Sequence, residues 1–226
     1  MGTGTQNAVI LDLGRVLVRI HDDAILPSLA ELADVAPARM REMLAEVEEP
    51  FETGAIDTGE ALGRLLVHLD RGGTAAAASA SERGAWNRVL QRRRRLLEGA
   101  FRARFTPISP VVELTHRLAA EGRTLALASN TNPLDYATVE RQYPDLLTPF
   151  EARIFLSYRL GVMKPDQRFY AHILERLALP ASSCVFVDDK EENVEAARRA
   201  GMRGIVYNGT HTPVATLRER LERVER

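Results

Sequence analysis

The sequence predicts an α/β fold, a doubly wound parallel sheet carrying a small helical insertion, and three observations support this. Strand-length apolar runs occupy Ala8 to Leu11, Thr124 to Ala128, Arg153 to Leu156, Cys184 to Val187 and Gly204 to Tyr207. Amphipathic stretches of helical period stand between or after them, near Val111 to Glu121, Asp166 to Ala178, Glu191 to Ala200 and Val214 to Arg223. Between the first and second runs, the segment from about 22 to 105 is patterned for helix only. Strands buried on both faces and separated by helices form a parallel sheet. Such a sheet binds its ligand beyond the carboxyl ends of its strands.

Taken in order, the first run, within VILDLGRV, ends in Asp12 and Gly14. The insertion then places apolar residues at helical spacing: Ile25, Leu29 and Leu32; Met40, Met43, Leu44 and Val47; Leu62, Leu65, Leu66 and Leu69. That spacing predicts a small bundle standing over the site. Gly72, Gly73 and the stretch from Thr74 to Ser81 read as a flexible connection inside it. The second run, within LALASNTN, ends in Ser129 and Asn130; the third leads through GVMKPD to Lys164; the fourth, within VFVDDKEEN, ends in Asp188 and Asp189. Each segment alone is weak, because Ser-Asn after a strand is ordinary turn chemistry. All of them in this order form a specific pattern.

The pattern resembles the haloacid dehalogenase-like (HAD) hydrolase superfamily, built around an aspartate nucleophile, a Ser/Thr, a Lys and an acidic metal site. Within it the chain is similar to the branch of alpha-D-glucose-1-phosphate phosphatase and the N-terminal phosphatase domain of epoxide hydrolases. The stretch from Leu125 to Tyr207 carries the likeness most fully; ETGAID (Glu52 to Asp57) and Ala85-Trp86-Asn87 extend it more weakly. The resemblance implies a Rossmann-like core over 1–21 and 106–226 and a C1-type helical cap over 22–105. It implies a Mg2+-dependent phosphatase acting through an aspartyl-phosphate on a small phosphorylated metabolite, with a sugar phosphate favoured.

The chemistry follows from the residue types. A carboxylate nucleophile is repelled by a phosphate monoester unless a cation screens both, and magnesium does so through oxygen ligands. Asp12 is the candidate nucleophile. Asp12, the Gly14 carbonyl, Asp188 and Asp189 are the candidate metal ligands, with Asp189 either holding a metal-bound water or orienting Lys164. Ser129, the backbone N–H of Asn130 and Lys164 are the candidate phosphoryl-binding and charge-neutralising groups. Asn193 is expected to order the loop before its helix. Only Lys164 and Lys190 are lysines in a chain with 30 basic residues, which singles out Lys164 as a place where a compact ammonium is needed.

One departure matters. The family pattern has a second aspartate two residues after the nucleophile, and this chain has Gly14 there. A glycine keeps the backbone carbonyl and removes a side-chain acid, and general acid help is worth about 10² to 10⁴ in rate. The chain therefore uses a substitute acid, prefers good leaving groups such as a sugar 1-phosphate, or is slow. His21 and Asp22 are weighed as substitutes and read better as hinge residues. The similar branch also carries glycine at this position.

Composition excludes other classes. A net charge of -1 supplies no global field for nucleic acid or acidic membranes. The apolar run from Ala8 to Val18 is broken by Asp12 and Arg15, too short and polar for a signal peptide or membrane span. One cysteine, Cys184, makes no internal disulfide and suits a reducing, cytoplasmic setting, as a packed residue. The Arg92 to Arg95 run, with Arg88, Arg102 and Arg104, reads as a solvated or ion-paired helix face, or as arginines facing substrate. Trp86 and the loop from Phe51 to Gly54 are candidate substrate-facing elements. A monomer or homodimer is expected. A metal-free dehalogenase and a non-catalytic phosphate-binding module are the alternatives. No GxGxxG or Walker A sequence follows a strand.

Overall fold

The computed structural model describes residues 7–66 and 80–224, with the backbone alone over 80–87. The stretch 67–79, which includes Gly72 and Gly73, and the side chain of Trp86 lie outside the described residues.

Strands β1 (Ala8–Leu11), β4 (Thr124–Ser129), β5 (Ile154–Leu156), β6 (Cys184–Asp188) and β7 (Arg203–Val206) form one sheet in the order β5-β4-β1-β6-β7. All its pairings are parallel: Ala8 stands opposite Thr124 on one side and Cys184 on the other. The strand period of two explains the packing. Val9 and Leu11 face one way, into a cluster with Leu127, Val187 and Leu217. Ala8 and Ile10 face the other way, against Phe169, Tyr170 and Phe186. β1 is therefore covered on both faces, and its unbroken AVIL run reflects that.

The covering helices are α5 (Ser109–Ala120), α6 (Pro133–Gln142), α9 (Gln167–Leu177), α10 (Glu191–Arg199) and α11 (Val214–Val224), with the single-turn α7 (Pro144–Leu147) and α8 (Ser157–Leu160). The helical periodicity anticipates α5, α9, α10 and α11 to within a few residues. It does not anticipate α6, whose start is nonetheless written in NPLD. Pro133 occupies the first helical position and Asn132 Oδ1 accepts from the Asp135 N–H at 2.9 Å.

The insertion comprises α1 (Asp22–Ala33), α2 (Pro37–Glu52), α3 (Thr58–Leu65) and α4 (Ala80–Phe101) among the described residues. They share a separate apolar cluster built on Leu29, Met40, Leu62, Leu65 and Leu97. α3 begins at Asp57, whose side chain accepts from the Glu60 N–H at 2.8 Å. α4 already includes Ala80 and Ser81, so the end of the stretch expected as a flexible connection is helical.

Two short strands not expected from the sequence bracket the insertion. β2 (Val18–Ile20) pairs antiparallel with β3 (Phe105–Pro107), bringing the chain's way in beside its way out. Three residues are too few for an alternating pattern to register. Beside this ribbon Arg104 joins both parts: it donates to Asp22 of α1 at 2.6 Å and to Asp135 of α6.

Candidate active site

The strand order reverses direction at β1. From β1 the chain moves to β4 and β5 on one side, then returns to β6 and β7 on the other, which opens a crevice at the carboxyl ends. Asp12 follows β1, Ser129 closes β4 and Asp188 closes β6. The Asp12 N–H donates to Val187 O at 2.9 Å, which extends the β1-β6 ladder by one residue and fixes the carboxyl beside Asp188.

Lys164 reaches this point from the loop before α9. Its Nζ lies 2.8 Å from Asp12 Oδ1, 2.7 Å from Asp188 Oδ2 and 2.9 Å from the Ala128 carbonyl oxygen. An ammonium has three protons, and here each has an acceptor. The three side chains are buried, with Asp12 7%, Lys164 3% and Asp188 0% exposed. Asn130 secures the lysine backbone: its Nδ2 donates to the Lys164 carbonyl at 2.9 Å and its Oδ1 accepts from the Lys164 N–H at 2.8 Å. Asp188 is held on its other oxygen, Oδ1, by the Lys190 N–H at 2.9 Å and Asn193 Nδ2 at 3.0 Å. Asn193 thus does more than order its loop. Of the two roles left open for Asp189, orientation of Lys164 falls to Asp188, because the Asp189 carboxyl has Arg15 Nη1 at 3.8 Å.

The charges do not balance among these side chains. Asp12, Asp188 and Asp189 offer oxygens within 4.8 Å of one another, with Lys164 as their buried cation. Burial pushes the Asp12 carboxyl up; Lys164 pulls it down, and the neighbouring Asp188 adds to the rise. Burial, then Asp188, also pushes Asp189 up. For Lys164, burial favours the neutral amine, but Asp12 and Asp188 outweigh it and the ammonium is held above its usual range. Three carboxylates on one ammonium leave an excess of negative charge, and their hard oxygen donors suit Mg2+. The residues present therefore fit a divalent cation.

The structure brings together Asp12, Lys164, Asp188 and Asp189, with Ser129 two per cent exposed at the adjacent strand end. Gly14 lies in the turn after Asp12. Its backbone is not left-handed; the residue at φ 56° is Arg15. His21 and Asp22 sit at the hinge instead: His21 Nε2 is 2.9 Å from Thr106 Oγ1, and Asp22 pairs with Arg104. The arginine run is used structurally where it is used. Arg93 donates to Leu32 O at the end of α1, at 2.8 Å, and Arg94 pairs with Glu98 within its own helix at 3.5 Å. Phe51, expected in a substrate-facing loop, lies within α2 and is buried in the insertion's cluster.

Sequence reasoning passed over two groups. The Arg104, Asp22, Asp135 and Asn132 network joins insertion to sheet, and no local pattern marks residues so far apart. Glu52, the last residue of α2, turns toward the sheet: its charge interacts with Asp135, past β4, and Lys190, past β6. Because β1 lies between β4 and β6, Glu52 stands on the side of the crevice that Asp12 occupies. Its place in the ETGAID stretch was the available signal.

The family model that matches residues 6–201 is that of haloacid dehalogenase-like hydrolases. The chain is 27% identical over 201 residues to the sesquiterpene phosphatase astK of Aspergillus oryzae, covering 89% of each. It is 28% identical over 111 residues to flavin mononucleotide hydrolase 1 of Arabidopsis thaliana, which is 49% of this chain and 44% of that one. Its fold matches a HAD family enzyme of Bacteroides thetaiotaomicron, solved with magnesium and inorganic phosphate. The TM-score is 0.73 and the identity 17%, with 91% of this chain and 96% of that one covered.

Proposed function

We infer what this chain does from the premise that it belongs to the haloacid dehalogenase-like hydrolase family. We propose that it is a magnesium-dependent phosphatase of small phosphate monoesters, working through an aspartyl-phosphate on Asp12. The observation that carries this reading is the clustering of Asp12, Asp188 and Asp189 within 4.8 Å. A metal-free dehalogenase has no use for so much uncompensated negative charge beside its nucleophile.

In this reading Asp12, the Gly14 carbonyl, Asp188 and Asp189 hold Mg2+, which when bound neutralises the phosphoryl oxygens and the carboxylates facing them. An Asp12 carboxylate oxygen attacks phosphorus and the bond to the ester oxygen breaks, leaving an aspartyl-phosphate and an alkoxide that takes up a proton. Water then attacks phosphorus, releasing inorganic phosphate and restoring Asp12. Ser129 Oγ and the Asn130 N–H receive the phosphoryl oxygens. Lys164, pinned by Asn130, stabilises the charge that grows on them, at no cost in reorganisation. The helical insertion, 22–105, acts as a cap that keeps water out until substrate is bound and restricts substrates to small molecules.

With no side-chain acid at Gly14, leaving-oxygen acidity sets the rate. A sugar 1-phosphate then outpaces the matching 6-phosphate, and p-nitrophenyl phosphate outpaces both. The test is phosphate release over sugar phosphates, nucleotides, pyridoxal phosphate and p-nitrophenyl phosphate, with magnesium or with excess EDTA. Turnover that is undiminished in EDTA overturns the metal-dependent reading and moves the chain to aspartyl-ester dehalogenation.

A further inference from the structure

Inside the insertion, and open toward the sheet, lies a cavity of about 290 Å³. Its floor is apolar and buried: Leu26, Leu29, Val47, Leu62, Leu65 and Phe101 contribute side chains no more than 8% exposed. The charged groups that line it include Asp22, Asp23, Arg41 and Glu48, which are exposed and therefore stand at its solvent side. Toward the sheet the lining is Glu52, Arg104, Asn132 and Leu134. Asn132 is three residues beyond Ser129, so this wall begins within about 10 Å of the strand end. Asn132 is anchored there by two bonds with Asp135, one at 2.8 Å and one at 2.9 Å.

We propose that this cavity receives the organic part of the substrate, and that the substrate class is the phosphate monoester of an apolar alcohol. The inference rests on the phosphatase reading and narrows it. A hexose carries several hydroxyls, each needing a partner. The floor offers none, and each hydroxyl buried without one weakens binding by roughly 5-fold or more. A hydrocarbon needs no partner there. At roughly 30 Å³ for each small group, the volume takes about ten carbons, which places it near the lower end of small-molecule pockets, about 300–1,000 Å³. The acidity of the leaving oxygen, which favours a sugar 1-phosphate, ranks oxygens; this cavity ranks what is attached to them.

The n-alkyl phosphates form the decisive series, because from butyl to dodecyl they share one leaving-group acidity while their buried area grows. For the full chain with magnesium, kcat/KM rises about 4-fold per added methylene and levels off near ten carbons. Hexose phosphates fall below the octyl ester. Ala45→Trp, at an exposed position on the cavity wall, makes the rise stop at a shorter chain. A second arm is independent of turnover: n-decanol raises the melting temperature of the wild type, and Ala45→Trp loses the shift. A flat alkyl series together with turnover of p-nitrophenyl phosphate overturns the cavity assignment and leaves the phosphatase reading standing. No phosphate release from any ester overturns the phosphatase reading, and the decanol shift then decides alone whether the cavity takes an apolar alcohol. Its absence, or its persistence in Ala45→Trp, overturns the proposal.

Discussion

Glu52→Gln separates the electrostatics of the cap's inner wall from the catalytic aspartates. Burial pushes the Glu52 carboxyl from 4.5 to about 7; Glu48 and then Asp135 add to the rise, and Arg104 and Lys190 oppose it. A carboxyl whose folded pKa lies above its unfolded one binds more protons in the folded state. Stability is then greatest below pH 4.5, falls as pH rises toward 7, and levels off above that. At about 1.36 kcal/mol per pKa unit, the ionised carboxyl costs the fold about 2–3 kcal/mol more at pH 8 than at pH 5. Glutamine has the same shape and no charge to bury. Urea unfolding of both proteins at the two pH values reads the difference directly, since groups common to both cancel. The stability of Glu52→Gln relative to wild type rises by about 2–3 kcal/mol between pH 5 and pH 8. A flat difference refutes the assignment of Glu52 to a desolvated wall and places its side chain in water.

The remaining expectations concern the site. Asp12→Asn reduces phosphate release to background while circular dichroism shows the fold retained, because the amide keeps an acceptor for Lys164 and loses the nucleophile. Lys164→Ala strands two carboxylates in the interior and costs about 3–5 kcal/mol in denaturant unfolding. Lys164→Arg does not restore activity, since a planar guanidinium cannot match the three acceptors around this ammonium. Magnesium at about 100 times its dissociation constant stabilises the protein by about 2.7 kcal/mol, a rise of several degrees in a thermal scan, and Asp188→Asn loses that rise. Gly14→Asp is admissible: a Cβ there meets the movable end of Ile20 at 2.9 Å, and φ is not left-handed. It accelerates hydrolysis of alkyl phosphates by up to about 10²-fold and leaves p-nitrophenyl phosphate little changed.

The sequence by itself determined the sheet and the inventory of its edge. Strands buried on both faces write themselves as unbroken apolar runs, and polar residues that end such runs must fall at the carboxyl ends, so Asp12, Ser129 and Asp188 were legible. Helix α6 was also written, in the Asn132 cap, but in three residues against a hydrophobic pattern of ten. What only the tertiary structure decided are relations between distant residues. Lys164 could be singled out as a rare lysine, yet that its three protons divide among Asp12, Asp188 and Ala128 depends on β1 lying between β4 and β6. The β2-β3 ribbon, the Arg104 bridge and the desolvation of Glu52 arise the same way, from segments some 85 positions apart or from different layers. Local pattern records which face of an element is apolar. It cannot record which element covers that face, and the burial that raises Glu52 and shapes the cavity is a property of the cover.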